Sequence, residues 1–253
     1  MARSLQAVEF GELAGLGVVA DGDSGFAYRF AEAPDGERHV LGELRANTPD
    51  FAVGYEVLFG IGSGDLDRSY AVAHGAGLWF APLEVLATEH GRKAVLAPGA
   101  MIKPGARVSQ PITPECLGCH TDVSPPRGYP LNATPSNVVW KPRGISCAAC
   151  HGRVVAHAEF QEAELSGEDP KGPDPVLRHA ELGRFERLSI CAACHLQGDA
   201  RIVLNGRDLG PPAPGGDLLE QRALFVAAQA SDDVGFVSQV ERLVLSPCFL
   251  PAR

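Results

Sequence analysis

The sequence lacks a long apolar run. None of the stretches in its 253 residues approaches the ~18 apolar residues that a membrane-spanning helix requires. We therefore predict a chain that does not span a membrane. The first residues also lack the pattern of a signal peptide, because Glu9 and Glu12 interrupt them and leave only a short apolar run over 13–20.

An excess of positive charge is also missing. Lys and Arg number 22 against 31 Asp and Glu, which gives a formal net charge of -9. Nucleic acid is therefore an unlikely partner, since neutralising phosphates needs clustered Lys and Arg. With 45% hydrophobic and 21% charged residues, the composition is typical of a folded globular protein and excludes disorder throughout. The 29 Gly and 20 Pro predict a loop-rich fold.

Cysteine is absent from the first 115 residues, and the two parts of the chain differ in pattern. Before residue 109, short segments with strand character alternate with turns, which predicts a β-rich unit over 1–108. The predicted strands are 26–32, 38–44, 55–59, 69–74, 78–86 and 93–97. We expect them to form an antiparallel sheet.

Beyond residue 108 the apolar positions recur at helical spacing. The predicted helices are 153–165, 182–194, 218–230 and 235–245. Long polar or proline-bearing segments separate them, and such segments are uncommon in a compact domain unless a large cofactor fills its interior. The predicted fold class is therefore α+β, a β-rich N-terminal unit followed by a mainly α, loop-rich module over 109–253.

One motif, C-x-x-C-H, occurs three times in this second part. Its residues are Cys116, Cys119 and His120; Cys147, Cys150 and His151; and Cys191, Cys194 and His195. The motif is the attachment signature of c-type haem, because two thiols one helical turn apart can add to the two vinyl groups of one porphyrin edge while the histidine binds the iron. Random placement of these residues predicts only roughly 0.006 matches per chain. The motif therefore predicts three covalent haems c and their iron.

Two other interpretations remain open for these cysteines. A structural zinc site or disulfide pairs would also use C-x-x-C spacing, but neither needs a histidine at the same place in every motif. A zinc-binding protein is the weaker alternative.

Methionine is nearly absent, with Met1 and Met101 alone, but five histidines outside the motifs make His/His ligation of every iron arithmetically possible. Such His/His ligation is typical of low-potential electron carriers. His157 is the strongest candidate and His179 the next. On a continuous helix, six residues of separation would place His157 some 120° around the axis from His151, so the two could not bind the same iron.

These residues resemble the bacterial multihaem c-type cytochromes, in particular the cytochrome c-554-like family and its relatives that carry tetratricopeptide repeats. The resemblance covers most of the chain. It runs over 60–64, 68–70, 111–116, 144–147, 150–152, 191–195 and 246–249. It implies that His157 is a distal ligand to another haem. The c-type haem chemistry itself predicts electron transfer between redox partner proteins and a periplasmic or otherwise exported location.

Relatives usually begin with a signal peptide and an earlier haem motif, and they continue into a further haem and tetratricopeptide repeats. By this resemblance the chain is expected to be truncated at both ends. An iron that lost its distal ligand in this way would be open to small molecules. An apparent enzymatic site could thus be an artefact of truncation. The alternative function is a haem-dependent oxidoreductase acting on small nitrogen oxides through a five-coordinate haem, although a non-catalytic electron carrier is the main expectation.

Overall fold

The structure is a computed structural model, and it divides the chain into two compact units, Met1–Ile145 and Ser146–Arg253. It describes residues 4–9, 11–45, 48–102, 107–121, 133–137, 144–196, 198, 200–204, 214–216, 218–220, 222–225, 239–247 and 249. None of the helices in these ranges is long and apolar enough to cross a membrane.

The first unit is built mainly of strands. They are β1 Leu5–Gln6, β2 Val19–Asp21, β3 Phe26–Glu32, β4 His39–Arg45, β5 Thr48–Ile61, β6 Asp67–His74, β7 Gly77–Thr88 and β8 Gly91–Leu96. Two short helices follow, α1 Pro98–Ile102 and α2 Pro114–His120. The predicted strands are thus confirmed within one or two residues at most ends, and β5 extends beyond its predicted bounds at both ends.

These strands form one antiparallel eight-stranded sheet. From β2 to β8 they pair in sequence order, and β1 pairs with β5. Since β2 also lies against β8, the sheet is nearly closed. Alternation along β3 buries Tyr28 and Phe30 and leaves Arg29 exposed, which is the pattern expected when one face of a strand packs on a core.

Two apolar clusters fill the first unit. The larger one contains Tyr28, Leu41 and Leu83, all nearly or fully buried. The smaller one includes Ile112 and Leu117, so α2 packs on the sheet through Leu117. The helix of the first C-x-x-C-H motif therefore rests on a core that the β-rich unit builds.

The described part of the second unit has more helix and a smaller buried cluster. Its elements are α3 Ala148–His151, α4 Val154–Leu165, α5 Arg184–His195, β9 Ala200–Val203, β10 Arg222–Phe225 and α6 Gln239–Leu245, with 3₁₀ turns at His179–Glu181 and Leu218–Glu220. Helices predicted at 153–165 and 182–194 are confirmed as α4 and α5. Of the helix predicted at 235–245, α6 covers the part from Gln239, and 235–238 lie outside the described residues.

The helix predicted at 218–230 is wrong over its first residues. A 3₁₀ turn there leads into β10, which pairs antiparallel with β9 from Arg222–Val203 to Phe225–Ala200. Backbone pairing with a distant strand overrides the local helical periodicity, and 226–230 lie outside the described residues. The β-rich first unit is confirmed, whereas a mainly α module beginning at residue 109 stays a prediction.

Candidate functional site

The first motif occupies α2, and the sequence before it explains where this helix begins. Thr113 is the N-cap, and its hydroxyl accepts a hydrogen bond from the Cys116 backbone N–H at 3.4 Å. Pro114 follows at the first helical position, where its fixed φ and missing N–H cost nothing. The helix ends at His120, whose carbonyl accepts a hydrogen bond from the Ser4 hydroxyl at 2.6 Å.

The second motif forms a single helical turn. Cys147 is the N-cap of α3, and the His151 backbone N–H donates to the Cys147 carbonyl at 2.8 Å. Gly152 ends the turn with φ +71°, a left-handed conformation that favours glycine. Helix α4 begins only at Val154. The assumption of a continuous helix from His151 to His157 is therefore wrong, and the 120° argument does not apply.

The third motif lies at the end of α5. At the start of this helix the Glu186 carboxylate accepts a hydrogen bond from the Gly183 N–H at 2.6 Å. Ile190, Ala192 and Ala193 are buried. Packing thus fixes the last turn of α5, which carries Cys191, Cys194 and His195.

All three motifs share one local arrangement. His120, His151 and His195 are each the last residue of a helix, and the two cysteines before each histidine are one turn apart. None of these six cysteines forms a disulfide. The structure therefore places every predicted attachment cysteine beside its predicted iron-binding histidine.

In the second and third motifs a hydrogen bond orients the imidazole. Nδ1 of His151 lies 3.1 Å from the Leu177 carbonyl oxygen, and Nδ1 of His195 lies 3.0 Å from Oε1 of Gln239. Because these oxygens can only accept, Nδ1 donates and Nε2 keeps its lone pair for a metal. Metal-binding histidines usually have such a partner on the other nitrogen.

His157 is held in a similar way, by a carboxylate. Its Nδ1 lies 2.7 Å from Oδ1 of Asp174, which also accepts a hydrogen bond from the Val176 backbone N–H at 3.1 Å. Desolvation raises the pKa of Asp174, but the hydrogen bonds from His157 and Val176 outweigh it, so the net shift of this pKa is downward. Because the ionised Asp174 carboxylate can only accept, Nδ1 donates, and in the neutral imidazole Nε2 then carries the lone pair that a metal would bind.

Sequence reasoning missed Asp174 and the Leu177 carbonyl. Asp174 lies 17 residues beyond His157, and Leu177 lies 26 residues beyond His151. Both belong to the segment between α4 and α5, where no spacing relates them to the histidines. The motif Pro173-Asp174-Pro175 marks a turn and gives no sign of the histidine it contacts.

These residues fit a covalently attached haem. Each motif offers two thiols and an imidazole, the donors that such a group uses. Large apolar side chains are exposed on the helices of the second unit, among them Val155 on α4 and Phe185 on α5. Among the described residues, no three Cys, His, Asp or Glu side chains lie together as a ready-made metal site.

Comparison with known proteins supports the same class. Residues 87–152 match the model of the family described as cytochrome c554 and c-prime. The match contains the first two motifs and ends at Gly152, one residue after His151. No curated protein and no solved structure matches the chain. The matched region supports a c-type cytochrome family, with covalent haem and electron transfer as its coarse function.

Proposed function

We propose that this protein is an electron carrier with three covalently attached haems c. The observation that carries the proposal is the repeated arrangement of two cysteines one turn apart, not joined in a disulfide, with a histidine that ends the helix. The family match adds support at the first two motifs. The third motif rests on its identical pattern and on the hydrogen bond between His195 and Gln239.

Each group in a motif has a defined role in this proposal. The thiols of Cys116 and Cys119, and of the equivalent pairs, each add to a vinyl group, forming a C–S bond while the hydrogen goes to the other vinyl carbon. The histidines bind iron through Nε2. The haem iron, when bound, supplies one-electron oxidation and reduction.

His157 is proposed as the distal ligand of a haem other than the one attached at Cys147 and Cys150. The support is the resemblance together with the contact of its Nδ1 with Asp174. A carboxylate partner makes the imidazole a stronger donor. Because a stronger donor stabilises ferric iron, Asp174 favours a low potential at that haem.

The proposal also includes an exported location and a basic redox partner. Haem c is attached on the outer side of the energy-conserving membrane, which requires export. Propionates of three haems add negative charge to the net charge of -9. A partner with a basic surface would bind such an acidic carrier faster at low salt.

A pyridine haemochrome spectrum combined with intact mass tests the proposal. The full chain is exported with an added signal peptide in a host that matures c-type cytochromes. We expect a c-type α-band and three added haem masses, and the variant C147S/C150S should carry two. An unmodified mass with bound zinc would contradict the proposal and favour the zinc alternative.

The enzymatic alternative predicts a different spectrum. A haem that acts on small nitrogen oxides would be five-coordinate, high-spin in the ferric state and altered by nitrite or hydroxylamine. A spectrum without such a response supports the non-catalytic carrier.

A further inference from the structure

Helix α6 contacts the third motif although it lies far from that motif in sequence. Oε1 of Gln239, at the start of α6, lies 3.0 Å from Nδ1 of His195, a contact that joins residues 44 positions apart. Two residues later, the Glu241 carboxylate accepts a hydrogen bond from the Gly198 N–H at 2.6 Å. The proposed function gives α6 no influence on the electron that the third haem carries.

We propose that Gln239 is a positioning residue that lowers the reduction potential of the third haem. The inference rests on the proposed function, because it presumes a haem attached at Cys191 and Cys194 with His195 as an iron ligand. It assigns control of that haem's potential to α6, an element outside the motif. Gln239 acts through His195 and needs no contact with the haem itself.

The direction of the hydrogen bond determines the direction of the effect. A neutral amide oxygen only accepts, so Nδ1 of His195 donates to Gln239 and Nε2 carries the lone pair that binds iron. A hydrogen bond donated at Nδ1 makes the imidazole a stronger donor at Nε2. Because a stronger donor stabilises ferric iron more than ferrous iron, the potential of the haem falls.

Packing around Gln239 fixes the backbone that carries its amide. The next residue, Val240, is buried in one cluster with Ala192 of α5, the helix that ends in the third motif. Glu241 then anchors α6 to the turn after the motif through the Gly198 N–H. Helix α6 is thus held both by the helix that carries the motif and by the turn that follows it.

The third motif presents this contact in a form that substitution can test. Nδ1 of His151 donates to the Leu177 backbone carbonyl, which no side-chain replacement removes. The partner of His195 is a side chain, so it can be changed without altering the cysteines or the iron ligand. Because His195 and Gln239 are both exposed, water competes for their hydrogen bond, and we expect a modest shift in potential.

The test compares Q239L and Q239E in the full exported protein. Leucine removes the acceptor, whereas glutamate replaces it with a charged and stronger one. Peptide mapping first establishes that wild type and variants carry haem at Cys191 and Cys194. In spectroelectrochemical titration one potential should rise in Q239L and the same potential should fall in Q239E. Each shift should correspond to about a threefold change in the relative affinity for ferric and ferrous iron, or about 30 mV for one electron.

Leu243 provides matched controls, since it is 44% exposed and lies one turn further along α6. Leu243→Ala should leave all potentials unchanged. Leu243→Glu adds the same charge as Q239E without replacing the acceptor of Nδ1, so it should lower the potential by less. As a second readout, the Nδ1 proton of His195, followed by NMR, should exchange with D₂O faster in Q239L than in wild type.

The outcomes separate this inference from the proposed function. Wild type without covalent haem overturns both, and haem at the first two motifs alone overturns this inference and reduces the carrier to two haems. If the third motif carries haem but Q239L raises no potential, or Q239E shifts it no further than Leu243→Glu, the role of Gln239 is wrong and the electron carrier stands. Opposite shifts of one potential in Q239L and Q239E, beyond those of the controls, support the inference.

Discussion

The two units of this chain are stabilised in different ways. The first buries a large cluster of aromatic and aliphatic side chains, including Tyr28, Leu41 and Leu83, inside a nearly closed sheet. In the described part of the second unit, the buried cluster consists of Ala192, Leu218 and Val240. Helix α4 has no buried residue over its 12 positions. Apolar burial can hold the first unit together, whereas the described part of the second unit buries little apolar surface, so we expect the second unit to depend on a bound group.

The two units also differ in what their polar side chains contact. In the first unit, the Arg68 guanidinium donates to the Glu12 carboxylate at 2.6 Å, and the Tyr70 hydroxyl donates to the same oxygen at 2.7 Å, so the charges are paired inside the core. In the second unit, hydrogen bonds converge on histidine Nδ1 atoms. Polar contacts thus pair charges inside the core of the first unit, and in the second unit they orient exposed or part-buried imidazoles.

The largest expected effect comes from producing the full chain without haem. Amide hydrogen exchange in α4 and α5 should become faster by about 100-fold or more, because local opening there would cost little free energy. Strands β3 to β7 should keep their protection. Hydrogen exchange with peptide mass spectrometry, with the haem-loaded protein as control, measures both. Equal protection of the two units without haem would contradict the expectation that only the second unit needs a bound group for its stability.

Glu12→Ala should be the most damaging single substitution in the first unit. It leaves Arg68 charged, with its side chain only 7% exposed and without its carboxylate partner. We expect a loss of about 3–5 kcal/mol in the free energy of unfolding. Urea unfolding followed by circular dichroism measures it. Glu9→Ala, at an exposed position nearby, is the control, and an equal loss in both variants would argue against the buried pair.

Leu83→Ala should have a similar or slightly smaller effect. Leu83 is fully buried in the larger cluster, and its truncation should lower the free energy of unfolding by about 2–5 kcal/mol. The haem spectrum should not change. Leu66, which is 79% exposed, provides the matched control. If Leu66→Ala destabilises the protein as much, the core is not where the structure places it.

The smallest expected effect belongs to Asp174→Asn. The amide keeps the shape but removes the charge that orients His157. The potential of one haem should rise, on the order of 60 mV for each tenfold change in the relative affinity for ferric and ferrous iron. Spectroelectrochemical titration measures it. Gln161→Ala, which removes a weaker 3.4 Å contact to Asp174, should change the potential less.

The strands of the first unit could be predicted because alternation along a half-buried strand is a local signal, as β3 illustrates. The three haem-attachment motifs could also be identified locally, because the two cysteines and the histidine of each motif lie within about one helical turn. The break at Gly152 and the strand at Arg222–Phe225 were missed because a left-handed glycine and a pairing with β9 leave no mark on apolar periodicity. The contacts of Asp174 with His157 and of Leu177 with His151 depend on the path of the segment between α4 and α5, and no local sequence pattern predicts that path.

The most direct measurement is peptide mapping of the exported full chain by mass spectrometry. The account predicts a haem mass on each of the peptides that contain Cys116 and Cys119, Cys147 and Cys150, and Cys191 and Cys194. Recovery of all three peptides with unmodified thiols, from a host that matures a known c-type cytochrome under the same conditions, would contradict the account.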